Sequence, residues 1–177
     1  QGTRRLNRIL QAMSQAARLE ESLIDEPFER FDLAALAADY CATRRETCGG
    51  VRLECERPPR PVPVNGSPDL VAQLLDKLVD NALGFTPTGG GIDVRVEVDG
   101  TTARLEVEND GPRIDEAGAG ELFDPMVSYR QSAGETPHLG LGLFIARLIA
   151  ERHGGRMSAR PTRRGSAFRF EMPCADD

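Results

Sequence analysis

The stretch LLDKLVDNALGFT, residues 74–86, decides how the rest of the chain is read. Leu74, Leu75, Leu78, Val79 and Ala82 recur at helical spacing and predict a stripe facing a core. Gln73, Lys77, Asn81 and Gly84 recur at intervals of four, four and three, so they share a second face of the same helix. Just upstream, Ser67 suits the N-cap, Pro68 the first helical position and Asp69 the positive end of the helix. Polar groups at helical spacing beside an apolar stripe predict a lined pocket. By itself the stretch is equally compatible with a solvated helix face, and the glycine-rich segments downstream tip the balance.

Downstream, PTGGG at 87–91 reads as a loop. Ile92, Val94, Val96 and Val98 then alternate with charged residues. After the Asp99-Gly100 turn, Ala103, Leu105 and Val107 do the same, which predicts a hairpin with one buried and one wet face. It runs into the turn-rich Asn109-Asp110-Gly111-Pro112. Residues 115–139 are the least regular: a short helix through Leu122 and Phe123, then a polar stretch at about 124–139 with Gly134, Pro125 and Pro137. An irregular segment of that length in a compact domain is usually functional or mobile, and it is read as a lid. Gly140-Leu141-Gly142-Leu143 opens a helix that runs to His153 and stops at Gly154-Gly155. Strands near 156–160 and 167–172 close the chain.

Upstream, residues 4–24 carry an apolar stripe (Leu6, Ile9, Leu10, Met13, Ala16, Ala17, Leu19, Leu23) among polar residues, an amphipathic helix with a near-heptad seam. Such a helix needs a partner. It is read as the end of a helical hairpin or dimer bundle, a helix folded onto its own domain being the alternative. Pro27 breaks it, and 27–31 read as a linker. Asp32 can cap a helix from Leu33 to about Arg45, ended by Gly49-Gly50. A short strand through Val51, Leu53 and Cys55 and an edge strand at 62–64 precede the central helix.

The chain has 177 residues and a formal net charge of -6, which argues against a nucleic-acid partner. It opens at Gln1 without Met and is expected to be a piece of a longer protein. No run reaches the roughly 18 apolar residues of a membrane span, so any membrane attachment is expected outside this piece. Of the 22 basic residues Lys77 is the only lysine. Cys41, Cys48 and Cys55 are spaced by seven, which is not a zinc spacing, and with Cys174 they read as reduced structural thiols. His138 and His153 sit in no Ser-His-Asp pattern.

Four segments in order resemble the ATP-binding module of sensor histidine kinases, whose fold is shared with type II topoisomerases, ninety-kilodalton heat-shock chaperones and mismatch-repair ATPases. DKLVDNALGF resembles the N box, NDGPRI the first glycine box, LFDPMVS the F box and HLGLGLFIARLIAERHGG the second glycine box. The resemblance spans about residues 31–173, and residues 3–23 resemble the second helix of the dimerisation domain that precedes such modules. Within the histidine kinases, DKLVDNA, NDGP and HLGLGL together most resemble sensor kinases of proteobacterial dedicated sortase systems.

The resemblance implies a two-layer α/β sandwich of the Bergerat type with an N-terminal amphipathic helix. Residues 1–26 would close the dimerisation and phosphoacceptor hairpin, 27–31 the linker, 32–173 the catalytic domain and 174–177 a tail. It implies ATP with Mg²⁺, the metal on the Asn81 carboxamide oxygen. Phe85, Asn109, Gly111, Ile114, Phe123, Leu139, Gly140, Leu141, Gly142 and Leu143 would complete the nucleotide site, with Phe123 anchoring the lid. The glycines of the second box would bring N–H groups to phosphate at a helix start.

Several positions depart from the family pattern. Asn109 stands where an aspartate usually accepts from the adenine amine, a weaker neutral acceptor and one that can flip to donate. Lys77 stands where ATPase relatives carry a water-activating glutamate, which argues against a gyrase-like or chaperone-like ATPase. Gly84 replaces a phosphate-binding lysine, and Lys77, on the same face, is expected to supply that cation and to act with Asn81 in catalysis. Arg113 and His138 replace glycines, and His138 is read as a lid hinge. The implied function is transfer of the ATP γ-phosphoryl to a histidine on the dimerisation helices for relay to a response regulator. It would act within a homodimer, in a cytoplasmic domain of an inner-membrane sensor. Neither histidine here lies in the first dimerisation helix, so this piece should not label itself. The rival readings are a catalytically weak pseudokinase and an ATPase or serine kinase of the same superfamily.

Overall fold

The computed structural model describes residues 21–125 and 141–176, with a few isolated positions before residue 21. Most of the predicted N-terminal helix and of the lid therefore lies outside the described residues. Residues 21–25 are helical. The stretch expected as a linker then contains a strand, β1 (Glu29–Asp32), antiparallel to β3 (Pro63–Gly66). Between them come α1 (Leu33–Arg44) and β2 (Arg52–Glu56). Asp32 caps α1 as its chemistry predicts: Oδ1 accepts from Ala34 N–H at 3.0 Å and, across 30 residues, from Val62 N–H at 2.9 Å.

The central helix α2 (Pro68–Phe85) starts as the sequence predicts, with Ser67 Oγ accepting from Leu70 N–H at 3.2 Å and Pro68 inside the first turn. Leu74, Leu75, Leu78, Val79 and Ala82 are all fully buried. The hairpin is β4 (Gly91–Asp99) and β5 (Thr102–Asp110). A 3-10 helix (Glu116–Phe123), α3 (Gly142–Arg152), β6 (Arg156–Pro161) and β7 (Gly165–Pro173) follow.

The main sheet has the order β2-β4-β5-β7-β6. Only β2–β4 is parallel, because α2 lies in the crossover between those strands. Ile92, Val94, Val96, Ala103, Leu105 and Val107 are buried beneath the helices, whereas Val98 is 48% exposed because the apolar alternation of β4 outruns the covered part of the sheet. The opposite face is dressed by ion pairs. Glu106 is held by Arg160 at 2.9 Å and Arg169 at 2.8 Å, and Glu171 by Arg104 at 2.9 Å and Arg156 at 2.6 Å. One helical layer on one sheet is the predicted two-layer α/β sandwich.

The stretch read as a tail is tied down. Cys174 N–H donates to Thr101 O and Ala175 N–H to Pro63 O, each at 2.8 Å, and Arg30 donates to Asp176 O at 2.6 Å. Among the described residues no helix is long and apolar enough to cross a membrane, and the four cysteines are free thiols.

Candidate functional site

Two sides of α2 carry polar groups, and they are used differently. On one side Asp76 accepts from Tyr40 Oη–H at 2.8 Å and Asp80 pairs with Arg44 at 2.5 Å. Burial and the Asp76 hydrogen bond hold the Tyr40 phenol well above its ordinary pKa. On the other side Lys77 and Asn81, one turn apart, are half-buried and make no hydrogen bond or ion pair among the described residues. Asp80, the acid three residues beyond Lys77, is taken by Arg44, and the adjacent Asp76 by Tyr40. Gly84, next along that face, is exposed.

The free side of α2 meets the start of α3. A Cβ added at Gly142 would lie 3.8 Å from Lys77 Cδ. Leu141 occupies the N-cap of α3, and no side-chain cap satisfies its first-turn N–H groups among the described residues. Such a helix start attracts anions, and an ammonium beside it strengthens that preference. Leu141 is buried against Phe144, and Leu143 packs against the main core. Leu139, Gly140 and His138, predicted for the same loop, lie outside the described residues.

The other end of the site is built at the exit of β5. Asn109 is buried, and its Nδ2–H donates to Asp110 O at 2.9 Å. That bond settles which end of the amide donates and leaves Oδ1 as the acceptor. Gly111 has φ of 140°, and a Cβ there would sit 2.5 Å from the Phe85 carbonyl oxygen. The end of α2 and the loop after β5 thus touch through backbone, which only glycine permits. Ile114 N–H donates to Ser166 Oγ at 3.0 Å, and Ser166 Oγ–H donates to Pro112 O at 2.9 Å, so β7 holds the loop from below. Phe123 is buried edge-on to Phe168, with centroids 6.2 Å apart. Arg113 is exposed.

The structure thus brings Lys77, Asn81, Phe85 and Gly111 to α2 and its end, sets Gly142 against Lys77, and places Asn109 at the end of β5 and Ile114 on the loop after it. Ser166 and Arg164 were not anticipated. Ser166 could have been found from its place in the alternation of β7. Arg164 carried no local signal, since its partners Asp110 and Asp93 are 54 and 71 residues away. His153 is buried and bonded at both ring nitrogens, which removes it as a phosphate acceptor.

Among the described residues no group of three or more His, Cys, Asp and Glu side chains forms a metal cage. A hard cation here would rest on one carboxamide oxygen together with phosphate oxygens and water, a donor set that suits Mg²⁺. The half-buried Asn81 amide, without a partner among the described residues, fits that description.

The sequence model of the histidine kinase-, DNA gyrase B- and HSP90-like ATPase family matches residues 66–176. The sensor protein SphS of Synechococcus elongatus is 31% identical over 182 residues, covering 97% of this chain and 44% of its own. The chain thus spans less than half the length of that relative. The nucleotide-free catalytic domain of the histidine kinase ThkA superposes with a TM-score of 0.73 at 29% identity, covering 83% of this chain and 97% of that one. ThkA in complex with the response regulator TrrA matches with a TM-score of 0.72 at 24% identity, covering 98% of this chain and 49% of that one.

Proposed function

This chain belongs to the histidine kinase-, DNA gyrase B- and HSP90-like ATPase family, as the ATP-binding catalytic domain of a histidine kinase, and from that premise we propose what its residues do in a longer sensor kinase. It binds ATP with Mg²⁺ and passes the γ-phosphoryl to a histidine on a dimerisation helix, from which a response regulator takes it. The observation that carries this reading is the pair Lys77 and Asn81, without partners among the described residues on one face of α2, with Lys77 beside the start of α3.

Magnesium would neutralise phosphate charge and tie the phosphates to the Asn81 oxygen. The chain's own part is positioning and charge. Lys77 places an ammonium where the family lysine is missing at Gly84. The first-turn N–H groups of α3 point their positive ends at the same anion. Asn109 Oδ1 accepts from the adenine amine, and Gly111 lets the base approach the backbone. With Lys77 in place of an acid, this face of α2 offers no base to activate water, so the bound phosphoryl is kept for a protein acceptor. The wider protein is read as a homodimer, with this domain on the cytoplasmic side of an inner membrane.

Calorimetric titration with ADP and a nonhydrolysable ATP analogue, with and without Mg²⁺, tests the binding. Micromolar, magnesium-dependent affinity that loses its magnesium dependence in Asn81→Ala is expected. Radiolabelled ATP should then label a separately supplied dimerisation domain and leave this chain unlabelled. Absence of binding at millimolar nucleotide would overturn the reading. Binding without transfer would identify a nucleotide-responsive module that does no chemistry.

A further inference from the structure

The turn between β6 and β7 places Arg164 against the end of β5 that carries Asn109. Arg164 Nε donates to Asp110 Oδ1 at 2.7 Å, and its Nη1 pairs with Asp93 on β4. The second oxygen of Asp110, Oδ2, accepts from Gly91 N–H at 2.7 Å. The Asp110 carboxylate is thus held at both oxygens, and its peptide carbonyl is the group that accepts from Asn109 Nδ2–H. The Arg164 guanidinium, ahead of the Gly91 N–H, holds the Asp110 carboxyl below the usual carboxylate range.

We propose that Arg164 is a positioning residue for base selectivity: by bridging Asp93 and Asp110 it fixes the Asn109 amide with its acceptor end toward the base. The inference rests on the nucleotide-binding reading above. An aspartate at position 109 would have no donor end and could not be misoriented. An asparagine can, and the two orientations select different bases. Oδ1 accepts from the amine of adenine, whereas a flipped Nδ2–H would donate to the carbonyl of guanine. Departing from the family aspartate therefore creates a need that Arg164 meets.

Side chain and backbone are separable here. The turn itself is held by Thr162 Oγ1, which accepts from Arg164 N–H at 3.2 Å and Gly165 N–H at 3.0 Å, and by Gly111 N–H donating to Arg164 O at 3.1 Å. None of these uses the guanidinium. The Arg164 side chain is 38% exposed, so its ion pairs are a minor part of stability and removing it should leave the fold intact.

The test is competitive binding of ATP and GTP to wild type, Arg164→Ala, Asn109→Asp and the double variant. Wild type is expected to prefer ATP. Arg164→Ala should lower the ATP-to-GTP affinity ratio by about tenfold, the scale of one exchanged hydrogen bond. Adding Asn109→Asp should restore the ratio, because a carboxylate needs no orienting, and a purely structural role of Arg164 would not be rescued this way. An unchanged ratio in Arg164→Ala, or a drop that Asn109→Asp fails to restore, overturns the inference while leaving the nucleotide site standing. Wild type that binds neither nucleotide overturns both. Should Arg164→Ala lose its fold by circular dichroism, Asp93→Asn, which loosens the same guanidinium from its other side, carries the same expectation.

Discussion

His153 Nε2 accepts a hydrogen bond of 3.0 Å from Ser67 N–H, and so the residue that follows α3 is fastened to the cap of α2. The other ring nitrogen, Nδ1–H, donates to Ile149 O at 2.7 Å. Phe28 stacks on the ring with centroids 4.8 Å apart, and Arg152 lies over Phe28 while donating to Leu23 O at 3.1 Å. The two helices that form the phosphate end of the site run antiparallel, and this joint secures their far ends. It also reaches back to the segment that leads in from the N-terminal helix.

The joint needs a neutral imidazole, because a proton on Nε2 would face the Ser67 N–H. Burial, with Arg152 adding in the same direction, holds the His153 pKa below its ordinary 6.5. The unfolded chain takes up that proton near pH 6.5. Its contribution to stability is therefore complete above that pH and is lost as pH falls through 6.5 toward the lower folded value. The melting temperature of wild type should decline between about pH 7 and pH 5. His153→Gln, whose amide oxygen can still accept from Ser67, should be about 1–2 kcal/mol less stable at pH 7 and lack this part of the decline. Parallel pH profiles for the two proteins would contradict the assignment.

At Gly111 two constraints coincide, the φ of 140° and the Phe85 carbonyl 2.5 Å from any Cβ. Gly111→Ala should cost about 2–4 kcal/mol of folding stability from backbone strain and the enforced shift. Nucleotide affinity should fall at least tenfold, since the loop moves away from α2. Denaturant unfolding and titration measure the two effects separately. An alanine variant with unaltered midpoint would mean that the loop is not held against α2 in solution.

Lys77→Ala tests the substitute cation. Affinity for ATP and ADP should drop about tenfold, the scale of one charge-assisted contact to phosphate. Binding of adenosine, which has no phosphate, should be unchanged. Equal loss for adenosine would place Lys77 in the packing of α2 instead, and no loss for any ligand would remove it from the site.

What could be read from the sequence was whatever repeats or caps locally. The stripe of α2, its Ser67-Pro68 start, the β4–β5 alternation, the cap at Asp32 and the glycine-led start of α3 all lie within a few residues of their own signals, and the structure has each of them. Joining these pieces required partners far along the chain. The strand at Glu29–Asp32 is four residues long and owes its existence to β3, more than thirty residues on, so the proline before it read as a linker. The same distance hid the roles of Arg164 and His153, which depend on residues 54 and 86 positions away. Val98 misled in the opposite sense: its alternation is regular, but no helix covers that end of the sheet. In the site, Lys77 and Asn81 were legible because a helix turns spacing into a shared face. Their lack of partners among the described residues was not, because Arg44, which takes Asp80, comes from another helix.

A chain that meets its cationic needs with arginine everywhere except position 77 has a chemical consequence. Acylating reagents that attack primary amines and spare guanidinium groups find a single side-chain target, half-buried beside Gly142. The protein therefore comes with a built-in reporter. The extent of acylation on the peptide that carries Lys77, which leaves the α-amine out of the count, reports whether the start of α3 beside it is occupied, with no engineered label and no partner domain.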